Sequence, residues 1–155
     1  MINLYFAPMT PLNLPAIEPN LKKEEGRVWI FDVVRRKYVV LTPEEWVRQH
    51  FLQHLIQNLK YPKSLFRIES SLTYNKVQKR SDILVHNRDG KPWMLIECKS
   101  SSIKLTQKAF NQIAVYNMTV GATYLAVTNG MIHYCWKAPK VGEEPIFLDR
   151  FPEFQ

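Results

Sequence analysis

The fold of this chain is decided by two apolar stretches, SDILV at residues 81–85 and MLIECK at residues 94–99. Each is a short run of branched and apolar side chains bounded by polar residues, a pattern typical of a buried strand. The connecting sequence HNRDGKP at residues 86–92 contains an Asp-Gly turn signal followed by a proline. The two strands are therefore predicted to form a hairpin.

Three charged residues occur in these strands, although an unpaired buried charge is costly. Asp82 begins the first strand, and Glu97 and Lys99 lie in the second. Because side chains alternate along a strand, Glu97 and Lys99 point to one face, and Asp82 can lie beside them. Two carboxylates and an ammonium in one place are the chemistry of a divalent-metal site with a neighbouring lysine. The alternative is an exposed Glu97–Lys99 ion pair with Asp82 as a turn residue.

Composition narrows the class of protein. A chain of 155 residues, 46% of them hydrophobic, is long enough for one globular domain with a substantial core. It has neither an apolar run of about 20 residues nor the pattern of a secretion signal, and its two cysteines are expected to be free, buried thiols. We therefore expect a cytoplasmic protein without a membrane partner. The net charge of +7 favours an anionic partner, of which nucleic acid is the commonest.

Residues 1–24 are predicted to be a proline-containing arm. Prolines at positions 8, 11, 15 and 19 exclude a helix or a central strand from residues 1–20. Such an arm either lies on the domain, through residues such as Leu4, Tyr5, Phe6 and Leu14, or docks on a second copy or another protein. Residues 28–34 and 37–41 follow as a second predicted hairpin.

The sequence TPEE at residues 42–45 predicts a helix start, with a threonine N-cap, a proline in the first turn and a glutamate that completes a capping box. The helix is expected to end near residue 59. Glu45 either serves the cap or faces the metal site as a further ligand. His50 and His54 lie on the polar side of this helix, and we expect them to be solvated rather than metal ligands.

Residues 65–72 are predicted to form a strand in which Glu69 is exposed. A basic segment then leads to Asp82, and it makes Lys76, Lys79 and Arg80 candidates for nucleic-acid binding.

A second helix is predicted at residues 105–120, with Lys108, Gln112 and Tyr116 along one line. Residues 122–128 and 131–136 read as a further hairpin with a two-residue Asn-Gly turn, and residues 138–155 as an irregular tail on the same domain. This order of elements predicts an α/β domain with one mixed central sheet flanked by helices.

Several separated motifs of this sequence resemble those of a known family. Asp82, fourteen intervening residues and then Glu97-Cys98-Lys99 resemble the core motif of the PD-(D/E)xK nucleases, and Gln112-x-x-x-Tyr116 resembles a companion motif of one branch. Residues 25–137 also resemble the nuclease domain at the N-terminus of type I restriction enzyme motor (R) subunits, especially its short stand-alone relatives. Five sequence segments carry this resemblance: LTPEEWVRQ (41–49), KRSD (79–82), IECK (96–99), QIAVYN (112–117) and VTNG (127–130).

Two departures limit the resemblance. Ser81 replaces the proline that names the motif, which removes no ligand. The chain also lacks the Gly-x-x-x-x-Gly-Lys-Ser/Thr loop of a motor, so no ATP site is predicted. The behaviour of a complete restriction complex is therefore not carried over.

The resemblance implies a restriction-endonuclease-like core and a metal-dependent nuclease that hydrolyses DNA. Asp82, Glu97 and the backbone carbonyl of Cys98 would hold Mg²⁺ or Mn²⁺, which prefer oxygen ligands. Lys99 would orient the attacking water or stabilise the transition state. Gln112 and Tyr116 would flank the scissile phosphate, unless they are an ordinary polar helix face, and Lys108 joins the basic candidates. The competing interpretation is a non-catalytic nucleic-acid-binding or assembly module with a nuclease-like fold.

The same site leads to an expectation about stability. Without metal, Asp82 and Glu97 would be like charges offset only by Lys99. Neutralising Asp82 should then leave the stability of the metal-free protein unchanged or raise it slightly.

Overall fold

A computed structural model of the protein describes residues 9–68, 71–74, 77–80 and 82–155, and it describes side chains for residues 9–68 and 82–155. In chain order the elements are β1 (Leu21–Glu24), β2 (Arg27–Asp32), β3 (Lys37–Val40), α1 (Pro43–Gln53), β4 (Phe66–Ile68), β5 (Ser71–Tyr74), β6 (Val77–Arg80), β7 (Ile83–His86), β8 (Pro92–Cys98), α2 (Gln107–Val120), β9 (Tyr124–Thr128), β10 (His133–Lys137) and β11 (Ile146–Leu148). A π-helical turn at His54–Asn58 continues α1, and a 3₁₀ turn at Lys63–Leu65 precedes β4.

A six-stranded sheet in the order β11-β10-β9-β8-β7-β4 forms the centre of the protein. Strands β8 and β9 are parallel, with α2 as the connection between them, while the other neighbours are antiparallel. Apolar residues of α1 pack on one face of this sheet, and apolar residues of α2 pack on the other. The predicted mixed sheet flanked by helices is confirmed.

The hairpin that decides the fold consists of β7 and β8, which pair antiparallel with Ile83 opposite Ile96 and Leu84 opposite Leu95. Ile83 and Ile96 belong to the apolar cluster on the α1 side, whereas Leu84 and Leu95 belong to the cluster on the α2 side. Both faces of these strands are therefore buried, as their uninterrupted apolar sequence predicts.

Helix α1 begins where its capping signals predict. The hydroxyl of Thr42 accepts a hydrogen bond from the Glu45 backbone N–H at 3.0 Å, and Pro43 is the first helical residue. The prediction that His50 is solvated was wrong. Its side chain is buried, its Nδ1 lies 2.9 Å from the Trp46 carbonyl, and burial lowers its pKa.

Three predictions about strands need correction. The strand expected at residues 65–72 is divided, because β4 joins the central sheet while β5 pairs with β6 in a separate two-stranded sheet. The β9–β10 connection has four residues, since Thr128 pairs with His133, and the Asn129 side chain accepts bonds from the two backbone N–H groups that follow Gly130. The tail predicted to be irregular contains β11, which forms one edge of the sheet.

Residues near both ends of the described chain contact the central sheet's apolar cluster. Leu14 packs against it from the N-terminal side and Phe151 and Phe154 from the C-terminal side, while the last four residues of the predicted arm form β1. Leu4, Tyr5 and Phe6 lie outside the described residues. In the described ranges, no helix has the length and apolar character needed to cross a membrane.

Candidate active site

Asp82 lies just before β7, at the end of the sheet where β8 finishes. Its Oδ2 accepts a hydrogen bond from the Cys98 backbone N–H at 2.6 Å, and its Oδ1 accepts one from Arg48 Nη2 at 2.7 Å. The side chain is 15% exposed. Asp82 is thus fixed by a strand on one side and by helix α1 on the other, and one part of it still faces solvent.

Glu97 and Lys99 lie at this end of β8. They are two residues apart, so their side chains point to the same side of the strand. Lys99 Nζ lies 3.1 Å from Glu97 Oε1, and both side chains are partly exposed. Burial lowers the pKa of Lys99, but the negative charges of Glu97, Asp82 and Glu44 outweigh that effect and raise it. The ammonium therefore lies in the field of both predicted carboxylates and remains charged at neutral pH.

Sequence reasoning missed Arg48, which is the direct partner of Asp82. Its guanidinium is 3% exposed and bridges Glu45, three residues earlier on α1, to Asp82. Burial alone would lower the pKa of Arg48, but the charges of Asp82 and Glu45 outweigh that effect and raise it. The guanidinium is therefore permanently charged. The available signal was an arginine placed next to the core residue Val47 in a helix that packs on the sheet.

Glu45 belongs to a buried network of charges. Its carboxylate accepts bonds from Arg35 Nη2 at 2.8 Å, from Gln49 Nε2 at 2.7 Å and from Arg48. Arg35 Nε and Gln49 Nε2 also donate to the fully buried Asp32, at 2.8 and 2.9 Å. The carboxylate considered above as a further metal ligand therefore binds two guanidinium groups and an amide.

Glu44, the preceding residue, is an acidic residue in the first turn of α1, and its pKa is shifted by the charges of the candidate site. Burial raises the pKa of Glu44, and the charge of Asp82 raises it further, while Arg48 and Lys99 oppose the shift. The start of α1 thus brings one acidic side chain into the field of Asp82 and Lys99 and keeps the other in the buried network.

The fit of a divalent cation depends on the oxygen atoms present. In the described part of the chain, no three His, Cys, Asp or Glu side chains form a group that could hold a metal ion. The oxygen donors that the sequence predicts are those of Asp82, Glu97 and the carbonyl of Cys98, whose own thiol is buried in the core with a raised pKa. Two partly exposed carboxylates suit the chemistry of Mg²⁺ or Mn²⁺, which take their other ligands from water and phosphate. Arg48 shares one of those carboxylates.

The remaining predicted residues of the site lie on α2. Lys108 and Gln112 are exposed, whereas Tyr116 packs against the cluster that contains Leu95. Glu97 follows Leu95 by two residues and has the same strand parity, which directs it to the α2 side. The Tyr116 hydroxyl is buried and has no hydrogen-bond partner among the described residues.

The basic segment before Asp82 is described only in part. Lys79 and Arg80 belong to β6, which pairs with β5, and their side chains are not among those described. Glu69, Lys76 and Ser81 lie outside the described residues.

Comparison with known proteins finds one family. The family described as "Type I restriction enzyme R protein N terminus" matches residues 43–152, a range that includes α1, α2 and the whole of the central sheet. No curated protein matches the chain.

Proposed function

Because the chain belongs to the family of type I restriction enzyme R protein N termini, we propose that it is a metal-dependent nuclease that hydrolyses phosphodiester bonds of DNA in the cytoplasm. Family membership supports a nuclease-like module of a restriction–modification system. The observation that carries the finer proposal is the position of Lys99, 3.1 Å from Glu97 and in the field of Asp82.

The proposal assigns Mg²⁺ or Mn²⁺ to Asp82, Glu97 and the Cys98 carbonyl. When bound, such an ion polarises a phosphoryl oxygen and lowers the pKa of an attacking water. Lys99, kept protonated by its two carboxylate neighbours, orients that water and stabilises the negative charge that develops on the phosphate.

The other assigned residues hold the substrate. Gln112 and Tyr116 would flank the scissile phosphate from α2. Lys76, Lys79, Arg80 and Lys108 would contact the backbone phosphates of DNA, in keeping with the net charge of +7.

Cleavage of plasmid DNA by the purified protein tests this function. We expect cutting with Mg²⁺ or Mn²⁺ that stops in EDTA, and no cutting by Asp82→Ala, Glu97→Ala or Lys99→Ala under conditions in which each variant is folded. Asp89→Ala, in the exposed turn of the same hairpin, is the matched control and should cut like the parent. Full activity of any of the three site variants would show that the assignment is wrong.

One observation favours the second candidate, a nuclease-like module that binds nucleic acid or assembles with a partner without cutting. Asp82 is already neutralised by a buried arginine, so its position is explained without a metal. A parent protein that binds DNA tightly but leaves it intact with every divalent ion tested would establish this alternative.

A further inference from the structure

The three-stranded sheet of β1, β2 and β3 has one buried and one outward face. Ile30 and its pairing partners pack with Leu41 and Trp46 at the start of α1. Because side chains alternate, the opposite face carries the residues that pair around Trp29 and Phe31. We name this outward surface the aromatic face, and it comprises Lys22, Trp29, Phe31 and Tyr38.

The aromatic side chains of this face contact one another rather than a core. Phe31 and Tyr38 meet edge to face, with ring centroids 5.2 Å apart, and Lys22 Nζ lies 4.5 Å from the centre of the Tyr38 ring. Trp29, Phe31 and Tyr38 are each partly exposed, and in the described part of the chain none belongs to an apolar core cluster. A base that stacks on the Trp29 or Tyr38 ring would displace the Lys22 ammonium and no part of the core.

An open groove of about 480 Å³ connects this face with the candidate active site. Its lining includes Trp29, Lys37 and Tyr38 from the three-stranded sheet and Glu44 and Arg48 from α1. Arg48 donates directly to Asp82, so a chain lying in the groove leads to the residues proposed to cut it.

The charges around the aromatic face favour a polyanion. Exposed Lys22, Arg27, Arg36 and Lys37 lie on or beside it, against Glu24, which pairs with Lys22, Glu25 of the β1–β2 turn and Glu44 in the groove. Stacking rings combined with cations are the usual means of binding single-stranded nucleic acid, because unpaired bases expose their faces and the lysines and arginines hold the phosphates. A duplex keeps its bases stacked inside and cannot use such rings.

We propose that the aromatic face and its groove bind a single-stranded segment of nucleic acid that flanks the scissile phosphate. This inference rests on the proposed function in one respect, that the substrate is a nucleic acid, and it names the form of that substrate next to the cut. It also assigns binding roles to Trp29, Tyr38 and Lys37, which the nuclease motif does not include.

The test is binding to a labelled oligothymidylate, compared with a blunt duplex, by fluorescence anisotropy in EDTA. Trp29→Leu and Tyr38→Leu remove the rings while they keep an apolar side chain. Each should weaken single-strand binding about tenfold and leave duplex binding almost unchanged. Lys37→Gln should weaken single-strand binding and reduce its salt dependence.

Matched controls lie on β10, at the far side of the central sheet. Tyr134 and Lys137 are exposed there, so Tyr134→Leu and Lys137→Gln make the same chemical changes away from the groove. Both controls should bind the oligonucleotide like the parent. Thermal melts of all five variants confirm that each is folded at the temperature of the binding assay.

Three outcomes would overturn the inference: face variants that bind the single strand like the parent, equal losses for single strand and duplex, or a parent dimer that Tyr38→Leu converts to monomer in sedimentation. The last would make the face an interface between copies. Glu97→Gln separates this inference from the proposed function, because it should bind the oligonucleotide normally while failing to cut plasmid. A parent that never cuts, but whose face variants lose single-strand binding, would keep this inference and refute the nuclease.

Discussion

At the scale of single residues, the ion pair between Asp82 and Arg48 changes what a charge-removing substitution should do. Asp82→Asn takes away a partner of a guanidinium that is 3% exposed, so we expect the metal-free protein to lose about 1–3 kcal/mol of unfolding free energy. This reverses the expectation from sequence, which set the repulsion between two carboxylates against Lys99 alone and did not include Arg48. Thermal or urea denaturation in EDTA measures the change, and an unchanged or higher stability would restore the repulsion argument.

The same melts report on metal binding. Mg²⁺ should raise the melting temperature of the parent, because a ligand that binds only the folded state stabilises it by RT ln(1 + [L]/Kd). Asp82→Asn should lose most of that rise. An equal rise in both proteins would place the ion elsewhere.

Arg48 should affect folding and metal binding in opposite directions. Arg48→Gln leaves the carboxylates of Glu45 and Asp82 without their shared cation, so we expect a loss of about 3 kcal/mol or more in stability. It also removes the cation that competes for Asp82, so Mg²⁺ should bind more tightly in calorimetric titration. Arg67→Gln, on an exposed position of β4, is the control. Weaker Mg²⁺ binding by Arg48→Gln would mean that Arg48 orients Asp82 for the ion.

At the scale of elements, two histidines have pKa values that respond to burial: His50, buried within α1, and His133, half-buried on β10 and bonded to the N-terminal segment. His133 Nε2 donates to the Asn13 carbonyl at 2.9 Å, which leaves Nδ1 to accept from the Thr128 hydroxyl at 2.7 Å. Burial lowers the pKa of both His133 and His50 below 6.5. The unfolded chain therefore binds more protons than the folded protein once the pH falls below about 6.5.

The free energy of unfolding should consequently be greatest above the ordinary histidine pKa. It should decline as the pH is lowered through that value. The double variant His50→Gln, His133→Gln should show a flatter dependence between pH 7 and pH 5. Urea denaturation at several pH values measures this slope, and comparison at pH 8, where the imidazoles are neutral, separates it from lost packing. Identical slopes in parent and variant would assign the acid sensitivity to other groups.

The element scale also shows why some strands could be predicted and others could not. The β7–β8 hairpin and the Thr42 cap depend on neighbouring residues, so local sequence identifies them. Strand β11 has three residues, two of them largely exposed, and it exists because β10 offers a free edge. Nothing in residues 146–148 alone carries that information.

At the scale of the whole molecule, the net charge of +7 predicts how nucleic-acid binding responds to salt. Affinity for duplex DNA should fall steeply, with a slope of about 0.9 in log–log form for each phosphate neutralised. Lys108→Gln should lower that slope by about one unit, since its side chain is exposed on α2. A flat salt dependence would instead indicate a partner recognised through shape and apolar contact.

Some contacts of the candidate site can likewise be predicted from local sequence, whereas others join residues far apart in the chain. Glu97 and Lys99 are two residues apart, and Asp82 directly precedes the strand that pairs with theirs, so the sequence predicts that all three share one end of the hairpin. Arg48 reaches Asp82 from a helix 34 residues earlier, and Arg35 reaches Glu45 from a turn. Those contacts depend on how α1 crosses the sheet, which hydrophobic periodicity does not specify.

The buried network has a consequence for where this domain can be shortened. The family match begins at residue 43, yet Arg35, which donates to the carboxylate of Glu45, and Asp32, which accepts from Arg35, both lie before it. Glu45 in turn holds Arg48, and Arg48 holds Asp82. A protein trimmed to the matched residues would keep every atom of the motif but lose two charges that set its geometry, so the functional unit extends at least to the β2–β3 turn.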